Sequence, residues 1–294
     1  MNNTLLFNKL SNAAVLILPY LTPKELATVS QTCKTLNLIT KSITAVRSSD
    51  ASRTFEKHPI PFINTIDEHP YAYFLYTPSQ VLILPENPNR QPWGSGFDGK
   101  LDLGIFHPPV FINGSELVLD NGSGSANVGR KSVVVKLKIV RCLEKGWGLF
   151  ADEDIGCGEF VCEYAGELLT KIEARRRQQK YDKLAASSKH TTSLLVVREH
   201  LPSGNACMRI NIDATRIGNV ARFINHSCDG GNLSIELVRS SGDLLPRVYF
   251  FTSRGILKDE ELTFSYGDAS LNPNGSKCLC GSSCCSGIMP SEQT

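Results

Sequence analysis

Between residues 10 and 47 the apolar positions fall at three- and four-residue steps. Leu26, Val29, Cys33, Leu36, Ile39 and Ile43 share this spacing, which marks one face of a helix. Thr22 stands before Pro23, a good N-cap followed by a good first-turn residue. The pattern predicts an amphipathic helical hairpin. The texture then changes. Proline and glycine recur in HPIPF, TPSQ, LPENPNRQPWGSG and HPPVF, which predicts short strands at most, with long connections between them. NGSGSANVG reads as a flexible linker. From residue 131 the period becomes two: KSVVVKLKIV alternates valine and lysine as a half-buried strand does. GWGLFADEDI turns tightly and continues, and EFVCEYAGELL predicts another strand, ending at Gly166. Thr170 and Glu173 form a capping box for a helix over TKIEARRRQQKYDKLAA. Its RRR run reads as a solvated helical face, with a nuclear signal as the alternative. SLLVVREH, ACMRINIDA, NVARFINHS, LSIELVRS, RVYFFTSRGI and ELTFSYGD follow as short strands punctuated by turns. The fold class expected is mainly β with short helices.

The 294 residues are 41% hydrophobic and 20% charged, so most of the chain should fold around one large core or two modest ones. A net charge of only +2 argues against a large electrostatic footprint for naked nucleic acid. The apolar run AAVLILPYL lacks a preceding basic segment and is interrupted by Pro19. It predicts neither a signal peptide nor a membrane span, and an intracellular protein is expected. The ten cysteines are uneven: Cys33 stands alone in the first 141 residues, whereas Cys228, Cys278, Cys280, Cys284 and Cys285 crowd the C-terminal end. In a reducing compartment such a cluster suggests metal rather than disulfides. Cys278 and Cys280 with either Cys284 or Cys285 would leave a tetrahedral zinc site one ligand short. Cys228, in the NHSC bend, is the candidate fourth. The competing reading is a set of free surface thiols, which would be an oxidation liability.

Five motifs then carry a family resemblance. GWG at 146–148, EYAGE at 163–167, NVARFINHSC at 219–228, ELTFSYG at 261–267 and CLCGSSCC at 278–285 stand in the order and spacing of SET-domain protein lysine methyltransferases. The resemblance covers about residues 131 to 290. Within that family the chain looks most like the small plant members of the Su(var)3-9-related group, through EYAGELLTKIEARRRQQKYDKL, LVVREHLPSG and INIDATRIGNVARFINHSCDGGNL. It implies a SET-domain β fold with knot-like threading of the C-terminal segment, an exception to the usual avoidance of threading. It also implies S-adenosylmethionine as methyl donor, a histone H3 tail as partner at lysine 9 or a neighbouring site, and a place on chromatin in the nucleus.

The resemblance assigns roles residue by residue. The Tyr266 hydroxyl sits at the methyl-transfer point, and Tyr164 is the second hydroxyl lining the lysine channel. Phe264 leaves room for more than one methyl, which predicts a di- or trimethyl product. Asn225 and His226 bind the adenine end of the cofactor, largely through backbone groups. Gly146, Trp147 and Gly148 allow close backbone approach to its methionine end, with Lys145 beside them and Arg222 a further cofactor neighbour. Cys228, Cys278, Cys280 and Cys285 form a post-SET zinc site. The chemistry is consistent with these residue types. Transfer to a lysine needs the neutral amine, whose ammonium has a pKa of about 10.4 in water. A dry aromatic channel disfavours the charge, and positioning matters more than a strong base. Asp213 is expected to hold a local turn.

Two departures stand out. Most of this group carry a cysteine-rich, three-zinc pre-SET region, whereas residues 51 to 141 contain no cysteine. Ser193 lies near where relatives place a tyrosine facing the cofactor. The expected organisation is a helical segment over 1–50, a Pro/Gly-rich region over 51–130, a SET domain over 131–270 and a zinc-binding tail over 271–294. The stretch LILPYLTPKELATVSQTCKTLNLI also resembles an F-box, which would recruit a cullin-ligase adaptor. Two other readings therefore stand beside the enzyme: a non-catalytic SET scaffold in chromatin, and a ubiquitin-ligase adaptor.

Overall fold

A computed structural model describes residues 13–82, 132–187, 192–200, 207–239, 245–267 and 276–290. LPENPNRQPWGSG, HPPVF and NGSGSANVG lie outside the described residues. The helical hairpin forms as α1 (Pro23–Ser30) and α2 (Lys34–Ser49). Thr22 caps α1 in full: the Glu25 N–H donates to its hydroxyl at 3.4 Å, and its own N–H donates to the Glu25 carboxylate at 2.7 Å. Arg47, buried near the end of α2, ties the hairpin down. It donates to the carbonyls of Pro19 and Leu21, each at 2.8 Å, and to the Tyr71 hydroxyl at 3.1 Å. Its guanidinium also lies 5.1 Å from the Tyr73 ring centre. A planar fork with several donors suits this role where a lysine would not.

The strands among the described residues are short. They are β1 (Phe62–Ile63), β2 (Leu75–Tyr76), β3 (Val81–Leu82), β4 (Leu137–Cys142), β5 (Gly146–Ala151), β6 (Phe160–Glu163), β7 (Gly166–Leu169), β8 (Leu194–His200), β9 (Cys207–Gly218), β10 (Asn225–His226), β11 (Leu233–Val238), β12 (Arg247–Thr252) and β13 (Thr263–Phe264). A third helix, α3 (Lys171–Ser187), follows β7. One sheet has the order β1-β4-β5, a second β11-β12-β6, and a third β2-β9-β7-β3 with β8 also on β9. β10 and β13 form a separate parallel pair.

The Pro-rich stretch before residue 83 does more than connect. Its strands β1, β2 and β3 pair in parallel with β4, β9 and β7. Ile60, Phe62, Phe74 and Tyr76 are buried in the same core as Ile139, Leu149, Val161, Ile212 and Phe250. Glu56 spans the gap in sequence, accepting from the Tyr76 hydroxyl at 2.6 Å and the Val133 N–H at 2.9 Å.

Several local elements differ from the pattern-based expectation. The alternation in KSVVVKLKIV is real, since Val133, Val135, Leu137 and Ile139 are buried. The ladder nevertheless begins only at Leu137, where β5 pairs. EFVCEYAGELL is two strands, because β6 joins β12 while β7 joins β9. The break between them is fastened by Asn219. Its side chain donates to the Glu163 carbonyl at 2.6 Å and accepts from the Ala165 N–H at 3.3 Å. The same oxygen accepts from Ala221 N–H at 3.2 Å, so NVARF becomes a 3-10 turn at Val220–Phe223 rather than a strand. Thr170 caps α3, accepting from the Glu173 N–H at 3.2 Å. The Glu173 carboxylate turns to Arg176 and Arg177. Arg177 departs from the solvated face: its side chain is only 18% exposed, set among the carboxylates of Glu167, Glu173 and Asp213. Gly231 closes the bend after the NHSC string. At φ +77°, with the Thr263 carbonyl 2.3 Å from where a Cβ would stand, it admits only glycine beside β13.

Candidate active site and thiol cluster

Tyr164 leaves β6 and Tyr266 follows β13, and both phenol rings join one aromatic wall. Ring centres run from Tyr164 to Phe250 at 6.3 Å, to Phe264 at 4.9 Å, to Tyr266 at 4.8 Å and on to His226 at 5.3 Å. Spacings of this size are ordinary tilted and edge-on aromatic contacts. Each hydroxyl donates a hydrogen bond to a backbone carbonyl: Tyr266 to that of Ile224 at 2.6 Å, Tyr164 to that of Ser193 at 2.9 Å. Burial pushes both phenols well above their ordinary pKa, reinforced by Glu261 at Tyr266 and by Tyr266 at Tyr164. Both hydroxyls are therefore neutral, and among the described residues each is shown as a donor to a backbone carbonyl. Ser193 takes part through its backbone carbonyl and N–H.

The proposed cofactor residues meet around a group that the sequence reading did not single out, Glu261. Its carboxylate accepts from Lys145 Nζ at 2.9 Å and from Asn225 Nδ2 at 2.8 Å. Asn225 Nδ2 also reaches the Trp147 carbonyl at 3.3 Å. The turn Leu143–Glu144–Lys145 between β4 and β5 and the strand β10 are thus clamped together. Gly148 is required by close approach: a Cβ would lie 2.9 Å from Glu261 Oε1 and 3.1 Å from Asn225 Nδ2. The Trp147 ring packs edge-on against Phe62 at 5.2 Å. Arg222 makes none of these contacts. Its guanidinium lies 4.8 Å from the Phe74 ring centre and 5.2 Å from that of Phe223. Among the described residues its Nε and Nη1 are buried without a partner, and burial pushes its pKa down to about 10. Two orphaned donors of this kind fit a ligand that brings acceptor oxygens or nitrogens.

The thiols of Cys228, Cys278, Cys280 and Cys285 lie within 4.8 Å of one another. Cys284 is exposed, and its thiol is not one of the four. The Cys228 and Cys278 sulfurs are 3.8 Å apart, the edge of a tetrahedron whose metal–sulfur bonds are about 2.3 Å. The set therefore fits a single thiolate-bound ion. His226 connects this cluster to the aromatic wall. Its Nδ1 accepts from the Tyr266 N–H at 3.1 Å, and its Nε2 is 3.2 Å from the Cys228 sulfur. With Nδ1 accepting, the proton sits on Nε2 and points at sulfur. Burial lowers the His226 pKa, which keeps the ring neutral.

Short sheets around a buried aromatic wall, with a thiol cluster fastened to its far end, define a SET domain. The SET domain family matches residues 146–267. The chain belongs to the SET-domain histone-lysine methyltransferases: it is 50% identical over 323 residues to the histone-lysine N-methyltransferase SUVR3 of Arabidopsis thaliana, covering 96% of this chain and 91% of that one. It is also 35% identical over 171 residues to SETMAR of Mus musculus, covering 54% of this chain and 53% of the relative. Among solved structures, the methyltransferase domain of human SETMAR superposes with a TM-score of 0.56 at 24% identity, over 82% of this chain and 97% of that one. Arabidopsis thaliana SUVH6, solved in complex with SAM, gives 0.54 at 23% identity, over 83% of this chain and 56% of that one. At these identities the two structures speak for the fold.

Proposed function

We propose that this chain transfers methyl groups from S-adenosylmethionine to a histone H3 tail lysine of the lysine 9 type, on chromatin in the nucleus, with a di- or trimethyl product. The observation that carries the reading is the aromatic wall with its two neutral hydroxyls. S-adenosylmethionine, when bound, would supply the methyl group on a sulfonium sulfur, which leaves as a neutral thioether. The chain's own residues do the rest. Tyr164, Phe250, Phe264 and Tyr266 exclude water and disfavour the ammonium form of the incoming lysine. The two phenol oxygens, which donate to the Ile224 and Ser193 carbonyls, accept hydrogen bonds from the neutral amine and aim its lone pair. The β5 backbone at Gly146–Gly148, Lys145, Asn225 and His226 hold the cofactor. Arg222 offers it two buried donors. Cys228, Cys278, Cys280 and Cys285 hold zinc.

Two substitutions test the parts. Glu261→Gln weakens the clamp on Lys145 and Asn225, a loss of charge-assisted hydrogen bonds worth about 1.5–3 kcal/mol. Titration calorimetry should give an S-adenosylmethionine Kd raised about ten-fold or more, with peptide affinity unchanged. Equal loss of both affinities would mean general unfolding instead. Phe264→Tyr adds a hydroxyl beside the amine, and mass spectrometry of the product peptide should move from di- or trimethyl to monomethyl. An unchanged product distribution would remove Phe264 from the channel.

The decisive experiment for the reading is methyl transfer from labelled cofactor to H3 peptides by the purified, zinc-loaded chain, with peptides altered at each lysine. Transfer confined to lysine 9 supports it. Cofactor binding without transfer to any histone tail would make the chain a scaffold. A second reading concerns the hairpin. Val15, Leu16, Ile17 and Tyr20, just before the hairpin, and Leu38 within it are exposed, Leu38 at 68%, and exposed large apolar side chains of this kind can mark a protein contact. It supports recruitment of a cullin-ligase adaptor. Leu38→Arg should abolish co-purification of that adaptor, and co-purification that survives it would dismiss the idea.

A further inference from the structure

We propose that helix α3 is a positioning element for the reaction: through Arg177 and Tyr181 it sets where the Tyr164 hydroxyl stands. The inference rests on the reading of Tyr164 as part of the lysine channel.

The path is a continuous run of hydrogen bonds. Asp213, with a side chain 0% exposed, accepts from Arg177 Nη1 at 2.7 Å and from the Tyr181 hydroxyl at 2.7 Å, both on one oxygen. Its other oxygen accepts from the Thr215 N–H at 3.0 Å. The Thr215 hydroxyl accepts from the Ser193 N–H at 2.9 Å. The Ser193 carbonyl accepts from the Ala214 N–H at 2.9 Å and from the Tyr164 hydroxyl at 2.9 Å. Glu167, on β7 beside Asp213, completes the frame by accepting from Arg177 at 2.8 and 3.1 Å. The Ser193 peptide is thus held at its N–H by Thr215 and at its carbonyl by Ala214. It has no freedom to follow the phenol, so the phenol must follow it. Arg177 bonds both of two nearly buried carboxylates, Glu167 and Asp213, and so holds the Asp213 carboxylate in place. A network with every member partnered in a low-dielectric interior is stiff. Displacement of a reacting group by about 1 Å costs up to about a hundred-fold in rate.

The test uses the full chain with Thr215→Ala, Thr215→Ser and Tyr181→Phe. Thr215→Ala removes the acceptor for Ser193, Thr215→Ser restores it, and Tyr181→Phe removes a hydroxyl that donates to Asp213 and also hydrogen-bonds the Thr215 side chain. Expected results are a fall in kcat on the order of ten-fold for Thr215→Ala, an unchanged KM for the cofactor, and recovery to within about two-fold of wild type in Thr215→Ser. Tyr181→Phe should show a smaller fall with the same split. Amide exchange at Ser193 and Ala214 should quicken in Thr215→Ala while the β4–β5 hairpin stays protected. Turnover or exchange indistinguishable from wild type in both Thr215→Ala and Tyr181→Phe overturns the proposal. So does equal loss in Thr215→Ala and Thr215→Ser. Tyr164→Phe separates the two layers. If it leaves turnover and product distribution unchanged while Ser193 still loosens in Thr215→Ala, the lysine-channel reading fails and the path is only a brace.

Discussion

Tyr266→Phe should lower kcat for methyl transfer by about a hundred- to a thousand-fold, the size of effect seen when one preorganised polar group is taken from a reacting centre. The substitution removes a single oxygen. That oxygen donates to the Ile224 carbonyl at 2.6 Å, which leaves its lone pairs fixed in direction. The ring would stay packed between Phe264 and His226. The cofactor Kd should therefore change little. The Ile224 carbonyl loses its partner, which costs about 1–3 kcal/mol of stability, visible as a drop of a few degrees in Tm in a chain that remains folded. The pH profile gives a second check. A buried phenol with a raised pKa stays neutral past pH 10, so the rise in kcat/KM between about pH 7 and 9 belongs to the substrate ammonium. Residual activity in Tyr266→Phe should show the same limb. The raised pKa values carry a stability term as well: it is fully present below the ordinary tyrosine pKa and is lost as pH climbs above about 10. Full activity in Tyr266→Phe, or a limb that moves with it, would remove the residue from the reaction.

Stripping metal from the four-cysteine cluster, proposed to hold zinc, should also be damaging, by a different route. A chelator, or Cys278→Ser, should release about one equivalent of metal per chain, read by atomic absorption. Apparent binding free energies of structural zinc run to about 10–16 kcal/mol in small peptides. Only part of that appears here as Tm, because the sheets have their own core. The local loss is what matters. Four sulfurs within 4.8 Å cannot all stay ionised without the cation, and the segment at 276–290 should come away. His226 then loses the sulfur that receives its Nε2 proton and, with it, the tautomer that lets Nδ1 accept from Tyr266. Such partners of a ligand orient the groups around a metal site. The prediction is loss of transfer by at least ten-fold with the β4–β5 amides still protected from exchange. Transfer unaffected by metal-free preparation would mean that the cluster does not support the tyrosine.

Much of the candidate site was legible because its members sit in short strings. Tyr164, Asn225, His226, Tyr266 and the tail cysteines each belong to a motif that can be read without knowing the fold. Glu261 lies in one of those strings, yet its task depends on Lys145, more than a hundred residues earlier, and no local pattern announces that pairing. Phe250 reads as one more apolar residue of a strand until Phe264 stands 4.9 Å away. The 3-10 turn after Asn219 was hidden for the same reason, since the carbonyl and amide it fastens come from Glu163 and Ala165. Strand alternation located the sheets but not their ends, which are set by partners. The core role of Phe62, Phe74 and Tyr76 was masked by the prolines around them. The match to SUVR3 runs over 323 residues, more than the 294 of this chain, so the relative carries segments that this chain lacks.

The parallel pairing of β10 with β13 sets a schedule for the nascent chain. Ribosomes deliver β10 first, then β11 and β12, and only afterwards the strand that must lie alongside β10. At about 5–20 residues per second this delay lasts on the order of seconds. Until it ends, Asn225 and His226 have no neighbour on that side, and Tyr266 has not been made. A nascent chain that has not yet released β13 and Tyr266 should thus be chemically silent, and an elongation pause between codons 226 and 263 would expose an unpaired strand edge to whatever chaperones wait at the tunnel mouth.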